Sequence, residues 1–295
     1  LLPSRNKTAR RYALNFVLFV AGLALTGPVL AALANLPPLR IGLTPVVFQD
    51  QQAMSTELQR YLERNLGRPV EVVWRASHRR TIELMAHGKI DFVWLSVPAY
   101  VHLKRNYGAR LLVTPLFEGQ PQVRTYFIVP GRDQTTLSLL QLEGRFFAYP
   151  DAYSLTGYFL PRREIQLAGR DPDQFFARIF FTTSPLKVIR AVASALADGA
   201  YVDSHAWKSM ARSDPRLIAQ TRVVAETAAV GLPPMVAAAG VKERDADQLR
   251  RVLLTMNEDP QGRNLLNRLG LDGFVASDPA WYADAERTLA AMGER

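Results

Sequence analysis

The chain of 295 residues contains no cysteine. That absence excludes disulfides, thiolate zinc sites, cysteine nucleophiles and the lipid-bearing cysteine of a lipoprotein. Histidine is scarce: His78, His87, His102 and His205 show no metal-binding spacing. No P-loop and no strained-elbow serine is present. The neighbouring carboxylates Glu243 and Asp245 open a charged helix, where a capping role accounts for them. The reading is therefore a protein with no catalytic residue, no metal and no cofactor. Internal repeats and low-complexity linkers are also missing. Residues 1–34 lack acids altogether, whereas Arg5, Lys7, Arg10 and Arg11 stand before the first apolar run.

The net charge of +9 is partly this basic start. The remaining basic residues are scattered, with no aromatic-basic motif, so a nucleic-acid partner is not expected. A moderate positive excess suits anionic ligands or an anionic membrane surface. A hydrophobic fraction of 48% against 21% charged residues describes a globular chain, long enough for two modest domains.

Residues 1–34 read as an export signal. The apolar run Tyr12 to Thr26 is broken at Gly27-Pro28, and Ala32-Leu33-Ala34 presents small residues for cleavage after Ala34. The alternative is an uncleaved N-terminal anchor. Either way the basic side stays in the cytoplasm and the body lies outside.

The body begins with a βαβαβα rhythm. Strand-like runs at Leu39–Leu43, Val70–Trp74 and Phe92–Leu95 alternate with helical patterns at Gln52–Leu66 and His78–His87, and with one starting near Val97-Pro98. This predicts a parallel sheet with helices on both faces. Ligands of such sheets bind beyond the C-terminal strand ends, here Thr44-Pro45, Ser77-His78 and Ser96. Strands at Leu111–Leu116 and Arg124–Pro130 lead to a second αβ set. It comprises a helix around Ser138–Leu142, a strand at Phe146–Tyr149, a helix running through Ile165, and a short helix at Asp171-Pro172. A strand at Ala177–Phe181, a helix at Pro185–Ala197 and a strand at Ala200–Val202 complete it. Strands at Val223–Ala225 and Met235–Ala239 return the chain. Helices at Asp245–Met256, Gln261–Leu269 and Pro279–Met292 finish it. Two αβ sets joined by strand-like crossings predict two lobes with a cleft between them.

One stretch organises this picture: Leu142–Pro161, LEGRFFAYPDAYSLTGYFLP. A strand ends at Pro150-Asp151, and Ser154, Thr156 and Gly157 lead into a helix. Unpaired N–H groups beside hydroxyls at a helix start make an anion site. Taken alone, the same residues equally make an ordinary N-cap.

Four stretches together resemble the phosphonate/phosphite/phosphate-type periplasmic substrate-binding proteins of ABC importers. They are Gly88–Leu95 with Tyr100-Val101, the Ser154-to-Arg162 segment, Asp203-Ser204, and the tail LLNRLGLDGFVASDPAWYADAER. The resemblance covers nearly everything after residue 38. It implies a two-lobed α/β periplasmic-binding-protein fold, each lobe a mixed, mostly parallel sheet flanked by helices. Lobe one would be 35–127 plus 223–295, and lobe two 128–222.

The resemblance also implies that a small oxyanion binds in the interlobe cleft of a periplasmic monomer serving an inner-membrane ABC permease. The alternative is a sensory module presenting the oxyanion to a membrane histidine kinase. Ser154, Thr156 and the N–H groups of Gly157 and Tyr158 would form the lobe-two cradle, with Ser96 and Tyr100 facing them. Thr183 and Ser184 would add donors. Asp203 would read an amino group or a proton on the ligand, or else make a structural hydrogen bond near the hinge. Tyr100 is otherwise a core aromatic. His78 would donate to an anion at the cleft edge, or belong with Arg79 and Arg80 to a solvated helix start. Departures from the family pattern occur at Leu155 (a hydroxyl position), Ser96 (a glycine position), Pro185 (after a stretch lacking the usual histidine) and Ala76-Ser77-His78. They point to a ligand other than a typical aminoalkylphosphonate.

Overall fold

The computed structural model describes residues 36–44, 51–75 and 77–293. The expected export segment lies outside them. Among the described residues no helix is long and apolar enough to cross a membrane.

The chain enters as β1 (Leu39–Leu43), α1 (Gln51–Leu66), β2 (Val70–Trp74), α2 (His78–Ala86), β3 (Phe92–Trp94), α3 (Val97–Tyr107) and β4 (Arg110–Leu116). Helix α1 buries Met54, Leu58, Tyr61, Leu62 and Leu66, the i, i+4 stripe that periodicity requires. Asp91, in the loop before β3, holds β1 in place. Its Oδ2 accepts the Arg40 N–H at 2.8 Å and Nε–H at 3.1 Å, and its Oδ1 accepts Arg40 Nη2 at 2.6 Å.

The crossing to the second lobe uses β5 (Gln122–Val123), after which β6 (Thr125–Pro130) and β7 (Phe146–Tyr149) follow. The helix expected at Ser138–Leu142 is a single 3-10 turn, Leu139–Leu142. Gly144 at φ 72° turns the chain out of it. A five-residue π turn, Leu155–Phe159, then precedes α4 (Leu160–Leu167). No helix forms at Asp171-Pro172; that segment is a series of turns leading to β8 (Arg178–Phe181). Next come α5 (Pro185–Ala193), β9 (Gly199–Asp203), α6 (Ser204–Ser213), α7 (Pro215–Ile218) and β10 (Thr221–Glu226). Helix α5 stops before the expected Ala197 because Ala195 adopts φ 55°. The periodic reading misses α6, although Ala206 and Met210 line one buried face and Asp203 caps its start.

The return crossing is β11 (Val230–Gly231), paired antiparallel with β5. The chain ends through β12 (Met235–Ala237), α8 (Glu243–Leu254), α9 (Pro260–Leu269), β13 (Gly273–Ala276), the 3-10 turn Pro279–Tyr282 and α10 (Ala283–Ala291).

Two main sheets result, ordered β13-β4-β12-β3-β1-β2 and β10-β6-β9-β7-β8. In the first, β1 is parallel to β2 and β3, while β12 and β13 run against their neighbours. In the second, β7 is parallel to β8 and β9, and β6 opposes both β9 and β10. Each sheet carries helices, so each lobe has its own apolar core. A further cluster joins them: Leu155 and Phe159 from the π turn share it with Ile82, Val97, Tyr100 and Tyr282.

Candidate functional site

Five helix starts converge on one cavity of about 100 Å3 between the lobes. His78 of α2 and Ser96 before α3 come from one side. Ser154 before the π turn, Ser184 before α5 and Asp203 before α6 come from the other. Thr156, Thr183, Asp151, Tyr153, His205 and Leu155 also line it, and among the described residues no lysine or arginine does. Helix starts expose unpaired N–H groups and a partial positive charge. Neutral donors arranged this way hold an oxyanion without a buried cation.

The cradle itself is built by the π turn. Ser154 Oγ accepts the Gly157 N–H at 3.0 Å. The Ser154 carbonyl accepts the N–H groups of both Tyr158 and Phe159 at 3.1 Å. The N–H groups of Gly157 and Tyr158, expected to face the ligand, are thus used inside the chain. The N–H groups of Leu155 and Thr156 make no hydrogen bond with described residues. They adjoin the Ser154 and Thr156 hydroxyls, which are 3.5 Å apart. The Tyr158 ring packs against Tyr149 and Phe181 with Arg162 over its face, and it does not line the cavity.

Tyr100 is likewise no wall of the cavity. It is 1% exposed and packs edge-on against Tyr282 at 5.3 Å. Burial, with the charge of Glu286 adding to it, pushes its phenol up to about 12. Tyr282 is held in turn by Thr114 Oγ1 at 2.7 Å and the Leu232 carbonyl at 3.0 Å. The core-aromatic alternative describes Tyr100.

Ser96 does face the cavity. It occupies the N-cap position of α3 but makes no side-chain cap bond, and its buried Oγ has no partner among the described residues. A buried hydroxyl left unpaired is costly. Asp203 uses Oδ1 to cap α6 through the Ala206 N–H at 2.7 Å, and Oδ2 makes no bond with the described residues. Ser184 accepts the Leu186 N–H at 3.3 Å. Thr183 sits at φ 67°, unusual for a β-branched residue, and donates to the Thr182 carbonyl at 2.6 Å.

His78 is 7% exposed, whereas the neighbouring Arg79 and Arg80 side chains are 80% and 61% exposed and pair with Glu83. Only the two arginines form the solvated helix start. The His78 ring stacks on Tyr153 at 5.8 Å, and its Nδ1 lies 3.4 Å from Asp151 Oδ1. Both partners come from the opposite lobe. Burial pushes the Asp151 carboxyl up, but the close approach of the His78 ring and the Tyr153 N–H outweigh it and hold it below the ordinary value.

Asp151, Tyr153 and His205 are site residues that sequence reasoning passed over. Asp151 reads as a strand breaker and Tyr153 as part of a turn. His205 is buried, with Nε2 2.9 Å from the Leu269 carbonyl and its ring edge-on to Phe117 at 4.8 Å. Nothing local distinguishes it from the other histidines. Among the described residues no cluster of side chains suits a metal ion.

Comparison with known proteins agrees with this geometry. The family model for the ABC transporter, phosphonate, periplasmic substrate-binding protein matches residues 41–282. The binding component of an ABC phosphonate transporter from Pseudomonas aeruginosa is similar at TM-score 0.75 and 18% identity, covering 85% of each chain. PhnD1 from Prochlorococcus marinus, solved with methylphosphonate, is similar at TM-score 0.77 and 16% identity, covering 87% of this chain and 98% of that one. A Xanthomonas citri protein solved with chloride gives TM-score 0.71 and 24% identity over 87% and 98%. No curated protein matches significantly. A two-lobed fold, a cleft ringed by helix starts, and a family match across most of the chain converge on one conclusion: this chain belongs to the phosphonate periplasmic substrate-binding proteins of ABC transporters.

Proposed function

We propose that the interlobe cavity takes one small phosphonate-like oxyanion, bound by the Leu155 and Thr156 N–H groups and the hydroxyls of Ser154, Thr156 and Ser96. The observation that supports this is the convergence of five helix starts on a cavity lined, among the described residues, by no lysine or arginine. Such a site discriminates by shape and donor direction rather than by net charge. The cavity volume, about 100 Å3, suits a tetrahedral head with a short substituent rather than a nucleotide. The free oxygen of Asp203 favours a ligand that brings a proton or an amino group.

Closure of the two lobes around the ligand makes the shape that an inner-membrane permease reads. The protein acts as a monomer in the periplasm, tethered only if its N-terminal segment is retained, and it transforms nothing. Titration calorimetry with methylphosphonate, phosphite, phosphate and a short alkylsulfonate tests the ligand. A true ligand at ~100 Kd stabilises the fold by roughly 2.7 kcal/mol through mass action. Thr156→Val should weaken binding while the free protein melts nearly unchanged. Silence across the whole anion panel, or unaltered affinity in T156V, would overturn the assignment. Stimulation of a reconstituted ABC permease, and not of a sensor kinase, by the loaded protein separates transport from sensing.

A further inference from the structure

The cavity has an unusual charge balance. Asp151 and Asp203 line it, and no lysine or arginine is among the described residues that do. An incoming dianion would add two more negative charges beside these carboxylates, a repulsion that neutral helix-start donors offset only in part and a nearby cation would relieve. The histidines are the bases available there. His205 has its Nε2 engaged with the Leu269 carbonyl. His78 is differently placed: nine-tenths buried, stacked on Tyr153, with a buried Nδ1 that completes no hydrogen bond and lies 3.4 Å from Asp151 Oδ1. Its Nε2 makes no hydrogen bond with the described residues.

Resting on the oxyanion reading above, we propose that His78 is the switchable cation of the cavity: it takes up a proton as the anion enters and, once charged, ties α2 of one lobe to Asp151 of the other. Ligand capture and lobe closure are then linked to the same proton. The groups that face His78 are consistent with this. Asp151 and Tyr153 approach from the opposite lobe, and Asp203 and His205 line the same cavity. Arg79 and Arg80 share its helix and both pair with Glu83 on the exposed side, leaving one net positive charge there. Both an anionic ligand and Asp151 favour the charged imidazole. The sign is fixed: a proton taken up on binding means affinity is full below the histidine's range and falls as pH rises through it.

The test is calorimetry with methylphosphonate between pH 5.5 and 8.5, in buffers of different ionisation enthalpy, on wild type, His78→Gln and Asp151→Asn. Any proton carried by the ligand itself is common to all three. Wild type should take up a proton that His78→Gln does not. It should bind at least about tenfold more tightly than H78Q at pH 6, and converge with it at pH 8.5, one linked proton changing affinity about tenfold per pH unit. Asp151→Asn should keep the pH dependence, because His78 is still present. An NMR titration of the His78 ring in wild type needs no variant and should show its midpoint raised by methylphosphonate. A pH profile unchanged in H78Q, or a His78 midpoint unmoved by ligand, overturns the switch while leaving the binding reading intact. Failure of wild type to bind any oxyanion at any pH overturns the binding reading and the switch with it.

Discussion

Gly157 donates its N–H to Ser154 Oγ at 3.0 Å, and a side chain at Gly157 would strike Pro150. A Cβ built there lies 2.4 Å from Pro150 Cγ and 2.6 Å from Pro150 Cδ. The glycine therefore lets the π turn close onto the end of β7, which sets the direction of the Leu155 and Thr156 N–H groups. Its role is steric rather than that of a donor to the ligand.

Gly157→Ala should accordingly cost about 1–3 kcal/mol of stability by overpacking. Oxyanion affinity should fall as well, since the cradle must shift to relieve the contact. Urea unfolding and calorimetry on the same variant check both effects. An unchanged midpoint would show that Pro150 moves aside freely.

The family resemblance places Leu155 at a hydroxyl position of the pattern, and its burial accounts for an apolar side chain there. It is 4% exposed in the cluster shared with Ile82, Val97, Tyr100 and Tyr282. Leu155→Ser removes apolar surface that joins the lobes and should cost about 2–4 kcal/mol. Chemical denaturation measures it, and a loss below roughly 0.5 kcal/mol, the range of an ordinary surface change, would remove Leu155 from the interlobe contact.

Ser96 separates stability from binding. Its buried Oγ has no partner within the described chain, so Ser96→Ala should leave stability within about 0.5 kcal/mol or raise it slightly. Oxyanion affinity should drop about tenfold, the cost of roughly one hydrogen bond. Wild-type affinity in S96A would take the hydroxyl out of the site.

Acid should loosen the second lobe near Asp133. Burial pushes this carboxyl up, but the hydroxyl and N–H groups of Thr136 and Thr135 more than offset it, at 2.6 to 3.1 Å, and hold it far below the ordinary carboxylate range. A lowered folded-state value means stability that is complete above the carboxylate's usual range and lost as pH falls through the lowered value. Asp133→Asn should flatten the acid limb of the unfolding curve between about pH 4 and pH 2 and cost about 1–3 kcal/mol at pH 7. An acid limb identical to wild type would assign that pH dependence to other carboxylates.

Much of the fold was legible along the chain. The strands at Leu39–Leu43, Val70–Trp74 and Phe146–Tyr149 and the helix ending at Leu66 fall where apolar periodicity places them, because such patterns record burial on one face. Ser77, Ser154 and Ser184 also read correctly as helix caps, since a cap bonds only two or three residues away. Helix α6 was missed because its amphipathic face is short and its start lies at the end of a strand.

The site divides along the same physical line. Sequence by itself determined that small hydroxyl residues stand at helix starts within a two-lobed α/β chain. Tertiary structure decided which of them meet. The π turn takes up the N–H groups of Gly157 and Tyr158, which donate to the Ser154 hydroxyl and carbonyl, and leaves those of Leu155 and Thr156 without a partner among the described residues. Packing against Tyr282 took Tyr100 into the core. Apposition of the lobes set His78 between Tyr153 and Asp151. Local propensity acts over a few residues, whereas burial, and with it the charge chemistry of the cavity, depends on segments that meet only when the two lobes come together.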